Sequence, residues 1–146
     1  MQPAVVLDTN VILDCWHFHD RRAQALREHI EAGALRVLSN ASINDELRDV
    51  LSRSAFVANS AALLQRWLAL SECVQTLGPA PWRCRDPNDQ TFLDLAYSHQ
   101  AQALITKDNA LLALTKKAAA MQAPYRPLRI GRPEQLAVGQ VLVHPA

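Results

Sequence analysis

The sequence predicts a three-layer α/β/α domain whose central sheet has about five mainly parallel strands. Short apolar runs without alternation, such as Val5-Val6-Leu7 and Ala103-Leu104-Ile105, are typical of strands buried on both faces. Segments with apolar residues at helical spacing separate these runs, and strands that alternate with helices imply a parallel sheet. With 146 residues, 49% of them hydrophobic, the chain can form one domain around its own core.

The first third of the chain contains two predicted strands and three predicted helices. Asp20 can cap the second helix and Gly33 can end it, while Asn40 or Ser42 can start the third. Apolar residues on one face support the third helix, because Ile43 and Leu47 are four residues apart. In order, the predicted elements are a strand over residues 4–8, a helix over 10–18, a helix over 20–32, a strand over 35–39 and a helix through 53.

The remainder of the chain repeats this alternation around a proline-rich loop at residues 78–88. Asn88 or Asp89 can cap the helix that follows this loop, and Pro133 can open a last turn of helix. In order, the predicted elements are an amphipathic helix over residues 59–72, a short strand over 73–77, a helix through 99, a strand over 103–106, a helical stretch to about 121 and a strand over 128–130. We expect a single domain over residues 1–146, with a core at about 3–137 and an apolar tail at 138–146.

Composition narrows the classes of function. The net charge is only +1, from 15 basic and 14 acidic residues, so no overall field indicates nucleic acid as the partner. Three widely spaced cysteines without a CxxC pair fit reduced thiols. No stretch approaches the roughly 18 apolar residues of a membrane helix, and no basic leader opens the chain. We therefore expect a soluble, cytoplasmic protein with no membrane partner.

Carboxylates stand at several element ends that a parallel sheet would bring to one edge. Asp8 ends the first strand, and Asp108 comes two residues after the strand that closes at Thr106. Asp89 opens the helix before that strand, and Glu46 borders the buried face of the third helix. Taken one at a time, each of the three aspartates can be explained as a helix cap, and Glu46 can be explained as a solvated surface side chain. Jointly, they predict a site at the carboxyl edge of the sheet, where open α/β sheets place their chemistry.

Four carboxylates at one point repel each other unless a cation lies between them. Hard oxygen ligands without a cysteine or histidine favour Mg²⁺ or Mn²⁺ over zinc. Such an ion lowers the pKa of an attacking water and neutralises developing charge, which is the chemistry that cleaves phosphodiesters.

The acids lie in four segments that, in this order, resemble the PIN-domain family of metal-dependent nucleases, many of which are toxins of bacterial toxin-antitoxin pairs. The similarity extends over nearly the whole chain, to a closing segment at residues 130–136. The four segments are Val5-Val6-Leu7-Asp8-Thr9-Asn10, Ser42-Ile43-Asn44-Asp45-Glu46-Leu47, Asp86-Pro87-Asn88-Asp89-Gln90-Thr91-Phe92-Leu93-Asp94-Leu95-Ala96 and Leu104-Ile105-Thr106-Lys107-Asp108-Asn109-Ala110-Leu111-Leu112.

The resemblance implies a metal-dependent endoribonuclease with RNA as substrate, Mg²⁺ or Mn²⁺ as cofactor, and an antitoxin protein and a second copy of the chain as possible partners. The implied catalytic and metal-binding acids are Asp8, Glu46, Asp89 and Asp108. Polar residues that would orient them are Thr9, Asn10 and Thr106. Candidate phosphate contacts are Lys107 and Arg85, for which a solvated side chain is the alternative. Candidate surfaces for a homodimer are Trp67, Trp82 and the tail.

Two neighbouring acids compete with Asp89 for the third position of the site. Asp86 precedes it by three residues, and Asp94 follows it by five. Asp89 is preferred because it heads the helix as the family's acid does, whereas Asp94 is half a turn away from that helical face.

Two other functions fit parts of the pattern. A catalytically silent PIN-like module could bind RNA or protein, although it would not need to retain all four acids. Haloacid-dehalogenase-type phosphatases also place a nucleophilic aspartate after the first strand and a lysine after a later one. They carry a second aspartate two residues beyond the first, and this chain has Asn10 there, which cannot donate the proton.

Overall fold

A computed structural model describes residues 2–135 and contains one sheet of five parallel strands. The strands are β1 (Ala4–Leu7), β2 (Arg36–Ser39), β3 (Ser71–Cys73), β4 (Ala103–Ile105) and β5 (Arg129–Gly131), and their order across the sheet is β3-β2-β1-β4-β5. The helices are α1 (Thr9–Trp16), α2 (Gln24–Glu31), α3 (Ala41–Leu51), α4 (Ser60–Leu70), α5 (Gln90–Ser98), α6 (Asn109–Leu112) and α7 (Thr115–Ala119). This architecture confirms the predicted α/β/α class.

The apolar runs explain why β1 and β4 lie at the middle of the sheet. All four residues of β1 and all three of β4 are buried. Val6 pairs with Leu38 of β2 on one side and with Leu104 of β4 on the other. Parallel pairing leaves the carboxyl ends of both central strands at the same edge, so the residues that follow Leu7 and Ile105 are neighbours there.

The predicted third strand is wrong in position. The prediction extended the preceding helix to residue 72, but α4 ends at Leu70, where the Ser71 hydroxyl donates to the Trp67 carbonyl at 2.7 Å. The chain then joins the sheet as β3 at Ser71–Cys73, two residues before the predicted start. A hydroxyl that satisfies a terminal carbonyl ends a helix at a place that apolar periodicity does not mark.

The helical stretch predicted after β4 is two short helices. Between α6 and α7 the Thr115 hydroxyl donates to the Leu112 carbonyl at 2.8 Å, and the Leu114 amide turns back to Leu111 at 3.0 Å. These bonds replace those of a continuous helix. Three single 3-10 turns also occur, at Arg21–Ala23, Val57–Asn59 and Pro87–Asp89.

Two tryptophans proposed for a dimer surface are buried, so that prediction is wrong. Trp67 is 0% exposed and its indole nitrogen donates to Asn44 Oδ1 at 2.9 Å. Trp82 is 2% exposed and packs edge-on against Tyr97, with ring centroids 5.4 Å apart. Each large ring fills the core instead of the surface.

The remaining predictions concern the lack of a membrane-spanning helix, the last turn near Pro133 and the apolar tail. Over residues 2–135, no helix combines the length and apolar character needed to cross a bilayer. The described chain closes with a turn in which the Gln135 amide donates to the Arg132 carbonyl at 3.0 Å. The apolar tail at 138–146 lies outside the described residues.

Candidate active site

An acidic pocket opens at the carboxyl edge of the sheet, beside the ends of β1 and β4. The structure brings all four predicted acids into its lining, together with Thr9 and Asn10 from the predicted set. The residues that line it are Asp8, Thr9, Asn10, Glu46, Val50, Arg53, Asp89, Phe92 and Asp108. We call this the acidic pocket.

Asp8 serves both as a helix cap and as a wall of the acidic pocket. Its Oδ1 accepts a hydrogen bond from the Val11 amide at 2.9 Å, which caps α1. Its Oδ2 accepts from the Thr106 hydroxyl and from the Lys107 amide, the latter at 3.2 Å. Asp8 is only 4% exposed, and burial raises its pKa although these hydrogen bonds favour the charged form.

Thr106 links Asp8 to Asp108. Its side chain is fully buried, its hydroxyl donates to Asp8, and the same oxygen accepts from the Asp108 amide at 2.9 Å. Asp108 Oδ1 in turn accepts from the Ala110 amide at 3.2 Å and caps α6. Thr106 therefore contacts the carboxylate of Asp8 and the backbone amide of Asp108, and its orienting role stays a prediction.

Asp89 approaches the pocket from the other side, at the end of the Pro87–Asp89 turn. Its Oδ2 is buried and has no hydrogen-bond partner among residues 2–135. Burial first, then the hydrogen bond with Asp108 and the negative charges of Asp108, Asp86 and Asp8, together raise the pKa of Asp89 to about 8. A cation bound here would favour the charged form of this carboxyl and oppose the shift.

Asp86, not Asn88 or Asp89, caps the turn that leads into α5. Asp86 Oδ1 accepts from the Asn88 amide at 3.0 Å, whereas Asp89 makes no side-chain capping bond. Asp86, Asp89 and Asp108 can each offer an oxygen within 4.8 Å of the others. Asp86 is therefore a neighbour of Asp89 at the site and does not replace it in the lining.

Asp94 belongs to a different network. Its Oδ1 accepts from the Ala80 amide and from Gln90 Nε2, each at 2.8 Å. Gln90 also binds the loop, because its Oε1 accepts from the Cys84 amide at 2.7 Å. Asp94 thus attaches the loop before α5 to the helix and does not line the acidic pocket.

Glu46 completes the pocket from α3. Its side chain is exposed, and its Oε2 accepts a hydrogen bond from the Thr9 hydroxyl at 2.5 Å. Neighbouring Ile43 and Leu47 are buried, so Glu46 lies at the border of the helix face that packs on the core. Asn10 lines the pocket with an exposed side chain.

The cations near the site differ from those proposed from the sequence. Lys107 Nζ pairs with Asp14 Oδ2 at 2.7 Å, and Arg85 is exposed in the loop outside the pocket lining. Arg53, which sequence reasoning missed, lines the pocket and has its guanidinium 3.7 Å from Asp49. It follows Glu46 by seven residues, two helical turns, and that spacing could have indicated a shared face.

The side chains of the pocket fit a hard divalent cation. All the candidate ligands are carboxylate oxygens, which Mg²⁺ and Mn²⁺ prefer. Asp89 Oδ2 is a buried acceptor without a donor, and such an atom costs free energy unless a cation or proton satisfies it. Among residues 2–135, Asp89 and Asp108, with Asp86 beside them, have oxygens close enough to share an ion, and Asp8 and the more exposed Glu46 line the same pocket.

Fold and pocket together define a parallel α/β domain with a carboxylate site at its carboxyl edge. A family model described as PIN domain matches residues 4–110. The chain therefore belongs to the PIN-domain family, whose members are generally nucleases that use divalent metal ions. The match includes all four acids of the pocket and ends before β5. No curated protein matches the chain.

Proposed function

We propose that this protein is an endoribonuclease that hydrolyses RNA phosphodiester bonds with Mg²⁺ or Mn²⁺. The observation that carries the proposal is the buried, unpartnered Oδ2 of Asp89 in a pocket shared with three further acids. The raised pKa of Asp89 supports the proposal, because strongly perturbed carboxyls in a pocket are concentrated at functional sites.

Each acid has a distinct environment and hence a distinct task. The Asp8 carboxylate accepts from the Thr106 hydroxyl, and the Asp108 carboxylate accepts from the Ala110 amide, so the oxygens of both acids have set directions. When bound, the divalent ion would lower the pKa of an attacking water and offset the charge that develops on the phosphate. Glu46, an exposed side chain of the pocket lining, would accept a proton from that water.

The proposed substrate is the sugar-phosphate backbone of single-stranded RNA. Arg53 lines the acidic pocket with a side chain that is 65% exposed, so its guanidinium can reach a phosphate that enters there. Its present partner, Asp49, is 3.7 Å away and 76% exposed, and such a surface pair is readily exchanged for a phosphate.

The cellular role we propose is that of a cytoplasmic toxin of a bacterial toxin-antitoxin pair. Support for this role is the resemblance of the four acidic segments to toxins of the family. Phe18 and Val57, each 58% exposed, are apolar surface residues that an antitoxin or a second copy could cover. Growth arrest on induction, relieved by a co-expressed antitoxin, would support the role, and unimpaired growth despite nuclease activity would oppose it.

The decisive assay for the activity uses purified protein and a labelled single-stranded RNA. Cleavage is measured with Mg²⁺, with Mn²⁺ and with EDTA, for the wild type and for Asp8→Asn. We expect cleavage by the wild type with metal only, and none by Asp8→Asn. Equal cleavage by both proteins would contradict the proposed site, and an acid-stable phosphoryl group on Asp8 would support the phosphatase alternative.

A further inference from the structure

Lys107 makes one contact through its backbone amide and another through its side-chain ammonium group, and only the backbone contact involves the acidic pocket. Its backbone amide donates to Asp8 Oδ2 at 3.2 Å, and its side-chain Nζ lies 2.7 Å from Asp14 Oδ2. Lys107 therefore connects an acid of the pocket with a carboxylate that does not line it.

Asp14 is an unusual partner because it is buried. It lies on α1, six residues after Asp8, and its side chain is 8% exposed. The Lys107 side chain is 31% exposed. A carboxylate in this position requires a cation, and a pair of this kind is held more firmly than an exposed surface pair.

The ion pair closes a ring of contacts around Asp8. Asp8 caps the start of α1, the helix places Asp14 beside Lys107, and the Lys107 amide returns to Asp8. One side of the ring is a rigid helix, so the ion pair restrains the position of the chain at residue 107. The flanking residues, Thr106 and Asp108, both belong to the pocket network.

We propose that the Asp14–Lys107 ion pair is a positioning device, which holds the Thr106–Asp108 segment so that Asp8 and Asp108 keep their geometry for phosphodiester cleavage. This inference rests on the proposed nuclease function. It assigns to Lys107 a role different from a phosphate contact, because the ammonium group is already engaged by Asp14. Both residues act through the acids and do not touch the substrate.

The test compares Asp14→Asn, Lys107→Met, the double variant and Lys107→Arg. Lys107→Met leaves Asp14 buried without a cation and can fail to fold, whereas Asp14→Asn removes the charge from the buried site. The matched control is Glu72→Gln. It breaks the 2.7 Å ion pair between Arg36 and Glu72, which lies on β2 and β3 away from the acidic pocket.

For RNA cleavage, we expect either single variant to lower kcat about 10- to 100-fold with little change in KM, as for other residues that orient metal ligands. The double variant should be no worse than the poorer single variant, because both remove the same contact. Lys107→Arg should recover much of the loss, and Glu72→Gln should retain wild-type kcat. A raised KM in Lys107→Met with an unaffected Asp14→Asn would overturn the proposal in favour of a phosphate contact.

A second measurement does not depend on cleavage. Hydrogen exchange of the Lys107 amide, followed by NMR in the metal-free protein, reports the bond from that amide to Asp8. We expect faster exchange in Asp14→Asn than in the wild type or in Glu72→Gln. Unchanged exchange would overturn the proposal. If the wild type cleaves no RNA but the exchange accelerates, the nuclease function fails and the structural link is retained.

Discussion

The carboxylates on the two sides of the acidic pocket differ in the hydrogen bonds that the protein donates to them. Beside β1 and β4, Asp8 accepts three hydrogen bonds, and Thr106 joins it to Asp108. On the opposite side, Asp89 has a buried oxygen without a donor. The protein itself orients one half of the site and leaves the other half unsatisfied. A cation bound in the pocket would satisfy this oxygen, for which residues 2–135 provide no donor.

The largest expected effect comes from removing the unsatisfied acid. Asp89→Asn should reduce RNA cleavage by more than about 100-fold, beyond the range typical of residues that only orient ligands. Asp94→Asn is the matched control, because it lies five residues away and retains an oxygen to accept from Ala80 and Gln90. Rates from single-turnover assays check this, and equal losses in the two variants would contradict the division between the acids.

On the ordered side of the pocket, a smaller loss is expected from Thr106→Val. The substitution keeps the shape of a fully buried side chain but removes the donor to Asp8 and the acceptor for the Asp108 amide. Cleavage should fall about 10- to 100-fold. Thr106→Ser, which keeps the hydroxyl, should stay near wild type. If Thr106→Val is fully active, the hydroxyl does not orient the acids.

Much of the fold could be predicted from the sequence because β1 and β4 are apolar throughout and can only be buried. The edge strand β3 was misplaced because Ser71-Glu72-Cys73 has no apolar pattern and its position depends on pairing with β2. A short edge strand is determined by its neighbour more than by its own residues.

The residues of the site also fall into two groups, those that could be predicted from the sequence and those that could not. Asp8 and Asp108 could be predicted because they follow strands that run to one edge, and that edge is defined by topology. The partners of Lys107 and Asp94 could not be predicted. Asp14 lies far from Lys107 in the sequence and Ala80 lies far from Asp94, and each pair meets only after folding. Arg53 was missed because it has no part in the apolar pattern that predicts α3 and lies two residues beyond the last residue of that helix, Leu51.

A third effect concerns stability. Divalent ion should stabilise the wild type by mass action, about 2.7 kcal/mol at a concentration 100 times the Kd. Asp89→Asn should lose most of this gain. In EDTA the same variant should be more stable than the wild type, because asparagine has no carboxyl whose charged form is disfavoured by burial and by the neighbouring acids. Thermal unfolding with and without Mg²⁺ measures both quantities, and identical Mg²⁺ shifts in the two proteins would contradict the expectation.

A last effect is a pH dependence of the stability of the metal-free protein. Folding raises the pKa of Asp89 from 3.8 to about 8, so between these values the folded state binds a proton that the unfolded state has released. The resulting stabilisation is present below about pH 4 and is lost as the pH rises toward 8. In EDTA, wild-type stability should therefore fall relative to that of Asp89→Asn over this window. Parallel curves from denaturant unfolding would contradict the raised pKa.

The most direct test of the carboxylate site is a calorimetric titration of Mn²⁺ into wild type, Asp89→Asn and Asp94→Asn without RNA. We expect saturable binding to the wild type and to Asp94→Asn, and loss of that binding in Asp89→Asn. Equal binding to all three proteins, or none to the wild type, would contradict the claim that the unsatisfied oxygen of Asp89 serves a metal ion.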